Sequence, residues 1–111
     1  MLRLMRKRRE RRRERRWGQE VDVERLMDFA RSREGVEGYI EPQTIVTDTT
    51  VVFVAASGEW TRRRVAGPGA AREMGQHLGI PVYDASKVGY PARMRAWTRQ
   101  QAAKERPAGS E

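Results

Sequence analysis

Nine cations stand within eleven positions near the amino end of this chain: Arg6, Lys7, Arg8, Arg9, Arg11, Arg12, Arg13, Arg15 and Arg16, interrupted only by Glu10 and Glu14. A guanidinium stays charged at every physiological pH and offers a planar fork of N–H donors that matches the oxygens of a phosphate. Of the ten cations in residues 1–20 all but one are Arg, so the chemistry this block points to is phosphate recognition. Three Glu in the same twenty residues leave the arm at +7 of the chain's +8, and residues 21–111 at about +1. Like charges packed this densely repel one another unless something negative lies beside them. A polyanion, or an acidic protein surface, is the partner expected.

In helical form the block is polarised. Arg8, Arg12 and Arg15 share a side that carries no acid, while Arg6, Glu10 and Glu14 share another. A phosphate backbone can order such a helix and release counterions in doing so. The plainer reading is a solvated helix extension without a ligand. Anionic lipid is a weaker match, because Leu2, Leu4 and Met5 supply too little apolar area to insert.

A second basic group, Arg62, Arg63 and Arg64, can be joined by Arg93, Arg95 and Arg99. With Trp60 and Trp97 near them in sequence, these are the ingredients of a surface where aromatics stack on bases and cations meet phosphates. On an ordinary surface the same arginines pair with Glu41, Glu59 or Asp84, and Trp97, at helical spacing from Met94, reads as core.

Other chemistries find few residues. The chain has no Cys, which removes a thiolate nucleophile, a disulfide framework and Cys-based zinc sites. With no sign of an oxidising compartment, a cytoplasmic home is expected. His77 is the sole histidine and is read as a boundary residue bonded to Glu73, one turn earlier on a helix. Asp48 and Glu59 flank a predicted hairpin, loosely like the metal-binding acids of restriction-type nucleases. The position two after the second acid, however, holds Thr61 where such a site wants Lys. Gly67-Pro68-Gly69 lacks the Lys and Ser or Thr of a phosphate-binding loop. Neither an enzyme nor a metal or other cofactor is expected.

The elements that must position these residues follow from periodicity. Residues 2–33 contain no Pro and one Gly, Gly18, which predicts two helical segments broken there. In the second, Val23, Leu26, Met27 and Ala30 form an inner stripe, Asp22 is the expected cap, and Gly35 stands where the chain must turn. From Gly38 the pattern turns extended: residues 39–41, the β-branched residues 44–47, and above all residues 49–56. Apolar residues on both faces make 51–54 a central strand. Ser57-Gly58 turns it into a partner strand, 60–65, whose three arginines suit a sheet edge. Gly67-Pro68 opens a helix that Gly79 closes, with Ala70, Ala71, Met74 and Leu78 inside. A short strand at 80–83 and a last helix from near Pro91 to about Lys104 complete the order.

The expectation is therefore an α+β fold: a small, mostly antiparallel sheet with a central β-hairpin, packed by two or three helices. Residues 1–20 form a basic arm, helical or disordered, 21–105 a single domain, and 106–111 a disordered tail. The longest apolar run, residues 51–56, is far short of the roughly 20 residues of a membrane span, so no transmembrane segment is expected.

Gly58-Glu59-Trp60-Thr61-Arg62-Arg63-Arg64 and Gly79-Ile80-Pro81-Val82-Tyr83-Asp84, with Val88-Gly89-Tyr90-Pro91 and Arg93-Met94-Arg95, resemble a family of small proteins of high-G+C bacteria. The resemblance covers residues 36–99 and implies a shared fold and a bacterial source; it carries no activity. The functional expectation rests on the residues. It is a non-enzymatic protein associated with nucleic acid, RNA or ribosome ahead of sequence-specific DNA, because no duplex-reading module is visible. Residues 6–16 supply affinity and Arg62, Arg63 and Arg64 position the ligand. The alternative is an accessory module docking an acidic protein.

Overall fold

The computed structural model of this chain describes residues 2–45 and 48–105. Its elements are α1 (Leu2–Trp17), α2 (Glu20–Ser32), β1 (Glu37–Glu41), β2 (Thr50–Val54), β3 (Trp60–Arg64), α3 (Pro68–Leu78), β4 (Val82–Asp84), α4 (Ala85–Val88) and α5 (Ala92–Glu105). They build an α+β fold around one sheet of order β3-β2-β1-β4. β1, β2 and β3 run antiparallel in sequence, and β4 joins β1 in parallel, so the sheet is mixed rather than wholly antiparallel.

β2 is the centre for the reason its composition suggests. Val51 and Phe53 point to one face, Val52 and Val54 to the other, and all four are fully buried. At roughly 1.5–3 kcal/mol for each such side chain, this strand contributes on the order of 6–12 kcal/mol against the chain entropy it must offset. The first face is covered by α1, α2 and α3 through Trp17, Leu26, Met27, Ala71 and Met74. The second meets Tyr39, Ala85 and Met94, with Trp60 and Tyr90 at its margin.

β3 is an edge strand, as its arginine run suggests, and α3 carries the chain from that edge across the first face to β4 at the other. The hairpin between β2 and β3 turns at Gly58, whose N–H donates to the Ala55 carbonyl at 2.9 Å and whose φ is +95°. A side chain there would also strike α5, since its Cβ would lie 2.2 Å from the Arg93 carbonyl oxygen. Glycine at this turn is thus what lets the last helix approach.

Several expectations are corrected. Asp22 does not cap α2; the helix begins at Glu20 with Gln19 before it, and the Asp22 carboxylate is drawn instead to Arg63 of β3, on the sheet face that α2 covers. Trp97 is half-buried against the Gly58 turn rather than part of the core, and α5 buries only Met94. Of the extended stretch expected at 44–47, the described residues 44 and 45 lie outside any strand, while 46 and 47, like the tail 106–111, are outside the described residues. α4 has no clear sign in the sequence. Asp84 caps it by accepting from the Ser86 N–H at 3.0 Å and the Ser86 hydroxyl at 2.6 Å, bonds that hold the carboxyl below its ordinary range. Among the described residues, no helix is long and apolar enough to cross a membrane.

Candidate nucleic-acid interface

The basic block is helical throughout, and it is fastened at one end. Trp17, the last residue of α1, is 1% exposed and packs in the core with the α2 and α3 side chains. Its indole Nε1–H donates to a Glu73 carboxylate oxygen at 2.9 Å, and its backbone carbonyl accepts from the Ala66 N–H at 2.6 Å. One turn earlier, the Arg13 guanidinium donates to His77 Nδ1 at 2.9 Å, with the His77 ring 5.6 Å from that of Trp17. The expected His77–Glu73 bond is therefore replaced: Glu73 receives the indole and His77 receives the arm. Gly18 then bends the chain into α2. Its φ is +155°, and a Cβ there would meet Val65 Cα at 3.3 Å, so the elbow between the two helices lies against the end of β3.

This anchoring decides which face of α1 is presented. Trp17, Arg13, Glu10 and Arg6 recur every three or four residues and lie on one side, with Glu14 beside them. Arg13 and Glu14 are half-buried there. Both acids of the helix thus fall on or near the docked side, and the acid-free side bearing Arg8, Arg12 and Arg15 turns outward. Residues 4–12 are all exposed, about 13 Å of helix standing clear of the domain. Among the described residues, no guanidinium or ammonium of the block lies within 4.0 Å of a carboxylate.

The strand arginines behave differently. Arg62 clamps Glu41 through two bonds of 2.7 and 3.0 Å, and Thr50 and Tyr90 donate to the same carboxylate. Burial pushes Glu41 up, but the bonds from Arg62, Tyr90 and Thr50 outweigh it and hold the carboxyl below its ordinary value. Burial, and then Glu41, pushes the Tyr90 phenol up, so it remains a neutral donor. Arg63 points to the opposite face and reaches Asp22 at 3.4 Å. Arg64 is 73% exposed and lies 4.0 Å from Asp48. Arg93 is spent on Glu37 and on the Ala55 carbonyl, while Arg95 and Arg99 are exposed on α5. Trp60 leans under Arg62 and donates its indole N–H to Thr98. Arg63 thus leaves β3 on the face opposite Arg62 and Arg64, and Arg62, Arg63 and Arg93 are each engaged by a carboxylate.

Arg15 of the arm and Arg64 of β3 do line a common cavity of about 720 Å³ at the α1–α2 elbow. Glu20, Asp22 and Asp48 line it too, so carboxylates outnumber the two cations and the cavity is a poor seat for an anion. A smaller cleft of about 190 Å³ on the other face is walled by Tyr39, Tyr83 and Tyr90, with Glu37 and Val88 at its rim.

The nuclease-like pair does not assemble. Asp48 precedes the Thr50 end of β2, and Glu59 precedes Trp60, which pairs with Val54 at the opposite end. Glu59 is held by Arg33 at 2.7 Å. No cluster of three or more His, Cys, Asp or Glu suited to a metal ion occurs among the described residues. Sequence reasoning missed Trp17 and His77 as the arm's anchor. The signal available was Trp17 itself, the sole aromatic before Phe29, placed directly before the helix-breaking Gly18.

Comparison with protein-family models, with curated proteins and with solved structures finds no match to this chain.

Proposed function

We propose that this is a non-enzymatic bacterial protein that associates with RNA or ribosomal RNA in the cytoplasm through α1. The observation that carries this reading is the cationic helix itself: anchored by Trp17, clear of the domain over residues 4–12, and supplied with no carboxylate partner among the described residues. A polyphosphate backbone supplies the missing counter-charge, and release of its condensed ions drives the association. Sequence selectivity is not expected of it, because guanidinium–phosphate contacts position a ligand without reading bases. Of Arg62, Arg63 and Arg64, the exposed Arg64 is the one placed to exchange its weak carboxylate contact for a phosphate; Arg62 and Arg63 serve the fold.

The test is salt dependence. Log affinity for RNA is expected to fall linearly with log salt, with a slope set by the number of phosphates contacted, and removing residues 1–12 flattens it. A slope that survives the removal places the site on the sheet side instead. Absence of RNA binding at low salt sinks the reading and favours the second one, an acidic protein partner. That second reading has in its favour Tyr83 and Val88, exposed at the 190 Å³ cleft. Against it, α1 has no apolar stripe of the kind a helix needs to lie in a protein groove.

A further inference from the structure

We propose that α1 enters the deep groove of a double-stranded RNA where a bulge or internal loop has opened it, and is gripped by both strands. This rests on the RNA reading above and deepens it. The argument is angular. At 3.6 residues per turn, successive side chains are rotated by roughly 100°. Lys7, Arg11 and Arg15 then form one row along the helix, and Arg9, Arg12 and Arg16 form another. The two rows are splayed by roughly 130° about the axis, with Arg8 between them. Every one of these seven side chains is exposed. The remaining side, with Arg6, Glu10, Arg13 and Trp17, is turned to the domain.

A single strand laid along a helix meets one row and leaves the other in solvent with its repulsion unrelieved. Two rows at this angle ask for two phosphate backbones, one on either flank, which is the geometry of a groove. Each row extends about 10–12 Å, enough for roughly three phosphates of one strand, so about six in all. Residues 4–12 stand free of the domain, so the groove walls can close around that length of the helix without collision, while Arg15, beside Glu20 and Asp22 at the elbow, marks where the groove must end. An α-helix with its side chains is about 10–12 Å across, and the deep groove of uninterrupted A-form RNA is too narrow to admit it. Hence the requirement for a duplex opened by unpaired nucleotides.

Four fluorescent probes of equal length test this with the full chain: a bulged RNA duplex, an uninterrupted RNA duplex, a single-stranded RNA and a B-form DNA duplex. The bulged RNA is expected to bind tightest, with a salt slope near −5, against about −2 for a single strand touching one row. Two triple variants, Lys7→Gln/Arg11→Gln/Arg15→Gln and Arg9→Gln/Arg12→Gln/Arg16→Gln, are each expected to lower the bulged-duplex slope by about 3. Both keep a good helix former at every position, and a circular-dichroism melt checks that they remain folded. Single-stranded RNA binding as tightly as the bulged duplex, or only one triple variant mattering, overturns the groove while leaving RNA binding intact. Tighter binding of the DNA duplex overturns the assignment to RNA. No binding by any probe overturns the reading on which the inference stands.

Discussion

Glu41 shows how one carboxylate removes a cation from the inventory of binding groups. From the sequence, Arg62 is one of three adjacent arginines on an edge strand and looks available. In the fold, β1 places Glu41 opposite Thr50, on the same side of the sheet as Arg62, and the guanidinium is clamped there with Tyr90 and Thr50 completing the shell. That pairing was not legible, because it depends on a strand register formed by residues some twenty positions apart. The consequence for stability has a definite sign. Glu41 has a folded-state pKa below its ordinary 4.5, so its contribution is fully present above that value and is lost as pH falls through the lower one. Glu41→Gln is expected to cost about 1–2 kcal/mol at neutral pH, since the side chain is largely shielded and its partners stay behind. In urea unfolding, the gap between protein and variant should be constant above about pH 5 and shrink below it. A gap that keeps the same size from neutral pH to pH 3 would mean that Glu41 does not stabilise the fold through its charge.

Among the elements, β2 and α3 were the most legible, and the reason is local. Four apolar residues in a row, β-branched or aromatic, have no stable place but the middle of a sheet, and Gly67-Pro68 with Gly79 brackets a helix by its own chain geometry. The parallel pairing of β4 with β1 had no such local sign, since β4 is only three residues long and its partner lies more than forty residues earlier. α5 illustrates the intermediate case. Its extent was readable, but how it is held was not: it buries only Met94, bonds through Arg93 to Glu37 and the Ala55 carbonyl and through Thr98 to Trp60, and rests its first turns on the bare Gly58. Gly58→Ala brings a Cβ to 2.2 Å from the Arg93 carbonyl and places Ala at φ +95°. It is expected to destabilise the protein by about 2 kcal/mol or more and to release α5 selectively. Hydrogen exchange should show protection lost in 92–105 and kept in β2; equal loss everywhere would mean that α5 is integral to the core rather than docked on it.

At the scale of the whole molecule, charge and stability are divided within a single helix. Residues 1–12 hold seven of the chain's cations and one carboxylate, +6 of its +8, and from residue 4 onward they are exposed. Residues 13–17 hold the anchor, with Arg13 on His77 and Trp17 in the core. A boundary read from charge alone falls at residue 20 and assigns Trp17 to the arm, because its packing partners in α3 lie more than fifty positions away in sequence. Two deletions separate the functions. Removing residues 1–12 should abolish the salt-dependent affinity and leave urea unfolding within about 0.5 kcal/mol of the intact chain, as expected for exposed positions. Removing 1–17 takes a fully buried Trp out of the core and should cost about 3–5 kcal/mol, so a loss of binding in that variant cannot be separated from a loss of fold. If instead the shorter deletion destabilises as much as the longer one, residues 1–12 must be held against the domain, and a helix held there is not one standing clear for a polyanion to surround.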